Sequence, residues 1–195
     1  MTLAANGFGM GGRHVGRRAY LRSAGPLGEG AVQRSWTGME EGGNRMIAKT
    51  MQDRLVGSWT LLSYVQSFDD GRPDLLPMGS DPSGLIVYTH DGYMSAQLCP
   101  ADRPAFASDV VTDGEEDEYA RAARTYIAYA GPYTCDHDSG TVSHHVRVSV
   151  FPNWVGGDQV RQVVFSGATL RLSSIRGAPG SRPGAVQTLT WRRAT

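Results

Sequence analysis

Two adjacent histidines, His144 and His145, are the residues best suited to acid–base chemistry in this chain. They lie within residues 141–150, TVSHHVRVSV, where valines alternate with polar residues. This period of two predicts a β-strand with one apolar face. Because neighbouring strand residues point to opposite faces, the two histidines cannot both bind one metal ion without a bulge.

His144 shares the valine face and His145 shares the polar face, so we expect His144 inside and His145 outside. An imidazole in an apolar cavity is a usable general acid or base, or a hydrogen-bond donor to a ligand. The alternative is a core histidine that bonds to a backbone group or a tyrosine. The sequence does not fix which face is buried, so the two histidines could exchange roles.

A corner is predicted at residues 151–154, FPNW, because a proline there interrupts regular strand pairing. Trp154 is expected either to plug the end of the fold or to form an aromatic wall of a ligand site. Asn153 either bonds to its own turn or acts as a polar anchor at the mouth. Arg161, in the next predicted strand, is either a surface residue or an inward clamp for a carboxylate ligand.

Other candidate ligand contacts combine an apolar body with a polar tip, although such residues are more often packed amphipathic side chains than ligand contacts. They are Trp59, Tyr88, Gln97, Tyr126 and Tyr129. Val142, Val146 and Val148 would complete the apolar wall.

No metal or cofactor is predicted. Cys135, Asp136, His137 and Asp138 are metal-type residues, but a zinc site usually needs four convergent ligands and no second cluster accompanies them. No G-x-G-x-x-G motif follows a predicted strand, as dinucleotide binding requires, and the chain has no phosphate-binding loop or G-x-S-x-G nucleophile motif. Its two cysteines are too few for a disulfide framework.

Short β-strands joined by tight turns make up most of the predicted domain, with Asp91-Gly92 as a strong hairpin signal. The predicted strands are 60–68, 84–89, 93–98, 133–136, 141–150, 159–165, 169–174 and 186–192. One helix is predicted from the acidic run at 115–118 to about Tyr129, where Tyr126 and Tyr129 would face the core. Tight turns require antiparallel neighbours, so the fold class is a mainly β, up-and-down barrel of about eight strands with one inserted α-helix. Such a barrel is either filled by side chains or holds one small ligand.

Residues 1–50 are predicted to be a disordered N-terminal extension, and residues 51–195 to be the barrel domain. Residues 1–45 contain 11 of the 25 glycines and show no apolar period. Such a segment buries too little apolar surface to offset the entropy of ordering.

Charge and hydropathy give no reason to expect a nucleic acid partner or a membrane-spanning segment. Residues 1–45 contain six Arg and three acidic residues, which leaves 13 basic against 16 acidic residues in the remainder. A mildly acidic domain gives no reason to expect a nucleic acid partner. No stretch is long and apolar enough to span a bilayer, so we expect a soluble, cytoplasmic protein.

Four segments together resemble one known family. They are LVGSWTLLSY (55–64), GLIVYTHDGYMSAQL (84–98), YIAYAGPY (126–133) and TVSHHVRVSVFPNWVGGDQVR (141–161). They closely resemble the bacterial and fungal lipocalin-like domain proteins, which are related in shape to the calycins. The resemblance covers roughly residues 52–193 and implies a small-molecule-binding barrel, and some members lie near secondary-metabolite genes.

The resemblance leaves three functions open, because the fold alone does not decide among them. The first is a barrel that binds a small apolar or aromatic molecule, with His144, Gln97, Tyr126 and Arg161 as polar anchors. The second is a cofactor-independent isomerase or cyclase of secondary metabolism in which His144 is the general acid or base. The third is a structural domain with a filled core. Whether the protein is an enzyme or a homodimer stays open.

The sequence also suggests that translation starts at Met46 or Met51. Residues 40–45, EEGGNR, can be encoded by a purine-rich ribosome-binding site, and the near-exclusive use of Arg over Lys suggests a GC-rich genome. We expect the intact mass of the natively expressed protein to begin at one of these methionines. A mass that includes residues 1–45 would contradict this.

Overall fold

The fold is a β-barrel with a few short helices, seen in a computed structural model that describes residues 49–177 and 183–195. The strands are β1 (Gly57–Phe68), β2 (Pro82–Tyr88), β3 (Tyr93–Pro100), β4 (Ile127–Asp136), β5 (Thr141–His145), β6 (Val148–Ser149), β7 (Asp158–Ser166), β8 (Thr169–Ser174) and β9 (Ala185–Arg193). The helices are α1 (Met51–Leu55), α2 (Glu116–Arg124) and a 3-10 helix, Pro152–Trp154.

All strand pairs are antiparallel, and the sheet closes on itself. The strand order is β3-β2-β1-β9-β8-β7-β5-β4-β6, and β3 also pairs with β4. Both β5 and β6 pair with β4, so together they occupy one position in an eight-membered barrel. The predicted antiparallel barrel of about eight strands is confirmed. Closure removes the exposed sheet edges that would otherwise promote aggregation.

Alternate residues of the strands point into one core. Its strand members are Trp59, Leu61, Tyr64, Ile86, Tyr88, Met94, Ala96, Leu98, Tyr129, Tyr133, Val142, Leu170, Leu172 and Trp191. In β1 the alternation is reset by a bulge between Leu61 and Ser63, so that Leu61 and Tyr64 are both buried. A bulge adds one residue to a strand and turns the following side chains to the other face.

The single strand predicted over 141–150 is wrong beyond His145. Val142 and Val146 are buried, but Val148 is 62% exposed and Val150 is 44% exposed. Val146 still pairs with Gly156 and Gly157, directly before β7, but the next amide, that of Arg147, donates to the carbonyl of Ala130 on β4 at 2.9 Å. Val148 therefore lies outside the barrel and is not part of the predicted apolar wall.

The helix predicted to extend to Tyr129 ends at Arg124. From Ile127 the chain is strand β4, which pairs with β3 from Leu98↔Ile127 to Tyr93↔Pro132. Apolar residues at helical spacing favoured a longer helix, but the pairing with β3 prevails because it closes the barrel and satisfies the backbone groups of both strands. Neither Tyr126 nor Tyr129 is helical, and Tyr129 points into the barrel.

Helix α1 covers one end of the barrel, which we call the closed end. Thr50 and Asp53 form a capping box at its start, and Leu55 is fully buried. The indole N–H of Trp59 donates to the carbonyl of Leu55 at 2.8 Å, and the Arg193 guanidinium lies 4.1 Å from the centre of the Trp59 ring. These contacts fix Trp59 in the closed end.

No helix in the described part of the chain is long and apolar enough to cross a membrane. The predicted extension over residues 1–50 and the suggested start at Met46 lie outside the described residues, apart from residues 49 and 50. Both therefore stay predictions.

Gly131 is required by the close approach of the β5–β6 break to β4. A Cβ atom at this position would collide with the carbonyl oxygen of His145. We expect Gly131→Ala to lower the free energy of unfolding by about 1–3 kcal/mol, as overpacked cores do. Gly157→Ala is the matched control, because its Cβ would lie at an ordinary 3.4 Å from the Trp154 carbonyl. Equal stability of the two variants in chemical denaturation would contradict this assignment.

Candidate functional site

A hydrogen-bonded bridge of three side chains crosses the barrel interior. His144 Nε2 lies 2.8 Å from the hydroxyl of Tyr88, and Nδ1 lies 3.0 Å from the hydroxyl of Tyr129. The three residues come from β5, β2 and β4, and each is at least 92% buried. Both ring nitrogens of His144 are therefore occupied.

Burial keeps His144 neutral. Desolvation is the main reason that its pKa lies well below 6.5, and the positive charges of Arg161 and His145 lower it further. Desolvation also raises the pKa of Tyr88 and of Tyr129. A neutral imidazole has one N–H donor and one acceptor nitrogen, so it donates to one tyrosine and accepts from the other.

His145 lies on the outer face, as its polar neighbours predict. Its Nδ1 lies 2.7 Å from the carboxylate of Asp158, and its Nε2 lies 3.0 Å from the hydroxyl of Thr134. Its side chain is 35% exposed. Only one of the two histidines therefore faces the interior.

An interior cavity lies next to the bridge. We define it by its lining residues: Tyr64, Ile86, Ala96, Leu98, Ile127, Tyr129, Trp154, Arg161, Leu172, Gln187, Leu189 and Trp191. The volume of this cavity is about 30 Å³. A water molecule needs roughly 10–15 Å³ on this measure, so the cavity as it stands holds about two waters.

A larger depression, the outer groove, lies on the other side of Trp154. It is lined by Ala123, Arg124, Tyr126, Ile127, Ala128, Ser149, Val150, Phe151 and Trp154, and it offers about 490 Å³ on the same measure. Ile127 and Trp154 line both spaces. The Trp154 ring packs edge-on against Tyr129, with ring centres 5.6 Å apart. Trp154 therefore forms a wall between the interior cavity and the outer groove.

Arg161 brings a positive charge to the interior cavity. Its guanidinium donates to the side-chain oxygen of Gln159 at 3.0 Å and to the carbonyl of Val160 at 2.8 Å. Both acceptors are neutral, and the three ion pairs found among the described residues do not include Arg161. Its charge opposes the desolvation that raises the pKa of Tyr64 and Tyr129.

Trp191 leaves a buried donor unsatisfied. The residue is 1% exposed, and its indole N–H has no hydrogen-bond partner within the described residues. A buried donor without a partner costs roughly 1–3 kcal/mol. Because Trp191 lines the interior cavity, a guest molecule there could provide the missing acceptor.

The structure brings together about half of the predicted site residues. Tyr129, Trp154 and Arg161 line the interior cavity, and His144 and Tyr88 lie behind Tyr129.

The remaining candidates lie elsewhere. Gln97 points outward and donates to Ser95 at 2.7 Å, and Tyr126 lies in the outer groove with Arg103 5.0 Å from its ring centre. Asn153 is exposed in the corner, and Trp59 lies in the closed end.

Sequence reasoning missed several cavity residues, including Tyr64, Gln187 and Trp191. In β9 the alternation of Gln187, Leu189 and Trp191 was visible, but nothing in it showed which face was inside. In β1 the bulge after Leu61 hides the inward direction of Tyr64 from a period-two pattern.

Within the described residues, no three His, Cys, Asp or Glu side chains are close enough to hold a metal ion. Asp136 of the predicted metal-type segment instead accepts hydrogen bonds from the amides of Asp138 and Ser139. These bonds stabilise the turn between β4 and β5.

Comparison with known proteins places these features in context. A family model described as a lipocalin-like domain matches residues 56–194. The 4'-hydroxy-3'-methoxypropiophenone carrier protein of Aspergillus oryzae is 34% identical over 106 residues, which cover 51% of this chain and 96% of the carrier. A solved lipocalin-like protein from Bacteroides uniformis is 17% identical with a TM-score of 0.37, covering 72% of this chain and 98% of that one.

The lowered pKa of His144 predicts an acid-sensitive fold. Below about pH 6.5 the unfolded chain binds a proton at this position that the folded chain does not, so stability falls until the folded pKa is reached. We expect the slope of unfolding free energy against pH, between pH 6.5 and 5, to fall by up to about 1.4 kcal/mol per unit in His144→Gln. Identical profiles for wild type and His144→Gln would contradict the prediction.

Proposed function

Because the chain belongs to the lipocalin-like domain family, we propose that its barrel binds a small, mostly apolar aromatic molecule. The observation that carries the proposal is the interior cavity, where Tyr129, Trp154 and Trp191 supply aromatic walls and Arg161 a polar anchor. Concave sites with mostly apolar walls and a few placed polar groups are typical of small-molecule binding.

The similarity to a carrier protein supports the same class of ligand. By its name, the Aspergillus relative carries 4'-hydroxy-3'-methoxypropiophenone, a substituted phenyl ketone. A single aromatic ring with a short polar side chain exceeds the interior cavity as it stands and would also occupy part of the outer groove. We therefore propose an aromatic metabolite of this size as the cargo, with a place in secondary metabolism.

Entry of such a molecule requires Trp154 to move. The space for about two waters in the interior cavity is too small for an aromatic ring, for which an engineered cavity of about 150 Å³ suffices. The outer groove is open and is separated from the interior by Trp154 and Ile127. Trp154 belongs to a short 3-10 helix and is partly exposed, so its displacement disturbs no strand pairing. We propose that the ligand enters from the groove as Trp154 swings outward.

The geometry favours binding over direct catalysis by His144. Tyr88 and Tyr129 occupy both ring nitrogens, and His144 does not line the interior cavity. An isomerase or cyclase in which His144 removes a substrate proton would need one of these bonds to break. A filled structural barrel is the remaining alternative, and the small free volume of the interior is the observation that favours it.

We propose that the protein works in the cytoplasm, where cysteines stay reduced. Cys99 and Cys135 are both free thiols. Disulfides are rare in that compartment. The absence of a nucleic acid partner and the alternative of a homodimer stay predictions.

Titration with 4'-hydroxy-3'-methoxypropiophenone tests the proposal. Binding next to Trp191 should quench tryptophan fluorescence in a saturable way. Trp154→Ala should raise the association rate constant about tenfold, which corresponds to about 1.4 kcal/mol less barrier. Stopped-flow fluorescence measures this rate.

Val150→Ala is the control for Trp154→Ala. Val150 lines the outer groove, as Trp154 does, but not the interior cavity. Its removal should leave the association rate close to that of wild type. The absence of saturable binding to wild type, for this ketone and for other single-ring aromatics, would favour the filled structural barrel.

A further inference from the structure

Hydrogen-bond counting fixes the direction of the Tyr88–His144–Tyr129 bridge. Tyr88 is 1% exposed, and the His144 nitrogen is its hydroxyl's hydrogen-bond partner within the described residues. If His144 donated to Tyr88, the Tyr88 O–H would be buried without an acceptor, at a cost of roughly 1–3 kcal/mol. The favoured arrangement therefore has Tyr88 donating to Nε2 and the Nδ1–H donating to Tyr129.

This direction leaves the Tyr129 O–H free to donate. Its oxygen accepts from His144, and the side chain lines the interior cavity. A water or a ligand in the cavity can accept this hydrogen bond, whereas no such acceptor is at hand for Tyr88. The bridge therefore presents a hydrogen-bond donor to the cavity.

Two further cavity residues have only donors to offer. Trp191 has a single indole N–H, which is buried and without a partner within the described residues. Arg161 has five N–H donors, and hydrogen bonds to Gln159 and Val160 account for two of them. None of the cavity-lining residues is Asp or Glu, so no carboxylate of the lining neutralises the guanidinium.

A cavity with a positive charge and an excess of donors is complementary to an oxyanion. Gln187 and Tyr64 also line the cavity and can accept as well as donate, but neither carries a negative charge. A neutral alcohol could satisfy one donor, but it would leave the guanidinium charge without a counterion. An ionised oxygen accepts several hydrogen bonds, each roughly twice as strong as a neutral one.

We propose that the ligand carries an oxyanion on its aromatic ring or on a short side chain of that ring, a carboxylate, enolate or phenolate, which binds Arg161 with help from the N–H of Trp191 and the O–H of Tyr129. This inference rests on the proposed binding function and narrows its ligand class. It assigns Arg161 as the residue that sets specificity.

The test compares two probes that differ in one group, 3-phenylpropionate and 3-phenylpropan-1-ol. Both have the same ring and chain, and only the first is an anion at pH 7. Wild type should bind the carboxylate about tenfold more tightly or better, as expected for a hydrogen-bonded charge pair. Isothermal titration measures both dissociation constants.

Arg161→Gln should remove this preference. The amide retains hydrogen-bonding capacity but has no charge, so the ratio of the two dissociation constants should fall to one or below. Arg171→Gln is the matched control, because Arg171 is exposed on neighbouring β8 and the substitution changes the net charge equally. It should keep the wild-type ratio.

The indole N–H of Trp191 gives a second, independent measurement. In nitrogen-15-labelled wild type, its proton resonance, assigned with Trp191→Phe, should move downfield when 3-phenylpropionate binds. If Arg161→Gln does not fold, the inference is tested by two wild-type measurements: the preference for the carboxylate probe and the shift of the Trp191 indole resonance.

The outcomes separate the inference from the function it rests on. Equal affinity of wild type for both probes would overturn the inference alone, as would an equal loss of preference in Arg171→Gln. Failure of both probes to bind while 4'-hydroxy-3'-methoxypropiophenone does bind would also overturn the inference alone. Failure of all three compounds to bind would overturn the binding function with it.

Discussion

Pairing of β3 with β4 is the interaction on which the rest of the barrel depends. It joins the two ends of an otherwise open sheet, from Leu98↔Ile127 to Tyr93↔Pro132. Each paired residue satisfies backbone groups that would otherwise be exposed at an edge. The same pairing turns Tyr129 inward and sets Ile127 between the interior cavity and the outer groove. Closure and site formation are therefore the same structural event.

Local patterns were enough to predict the fold class, because short strands and the tight turns between them are visible in a few consecutive residues. The hairpin signal at Asp91-Gly92 joins the antiparallel neighbours β2 and β3, as predicted. The errors arose where long-range pairing overrode local pattern. Helical spacing continued past Arg124, but β4 was required by its partner β3. Valine alternation continued past His145, but beyond Val146 the chain leaves β7 and pairs with β4 alone.

The site was only partly predictable, for a related reason. His144 was recognisable because a histidine among valines is unusual. For Arg161 and Trp154 the sequence left two interpretations open, and both residues line the interior cavity, as the ligand-binding interpretation requires. The partners of His144 could not be identified, since Tyr88 and Tyr129 lie 56 and 15 residues away along the chain. Strand register determines which side chains from different strands lie in contact. The register depends on turns and bulges that a periodic pattern does not reveal.

The buried His144 bridge has a consequence for folding fidelity. It connects β2, β4 and β5, so all three strands must be in register for both hydroxyls to find a nitrogen. A slip of β5 by one residue would bring Ser143 or His145 inward in place of His144 and leave two buried tyrosine hydroxyls without partners. Apolar side chains of similar size would tolerate such a slip far better, because their contacts have little direction. The bridge therefore stabilises the native register relative to registers of β5 that are shifted by one residue.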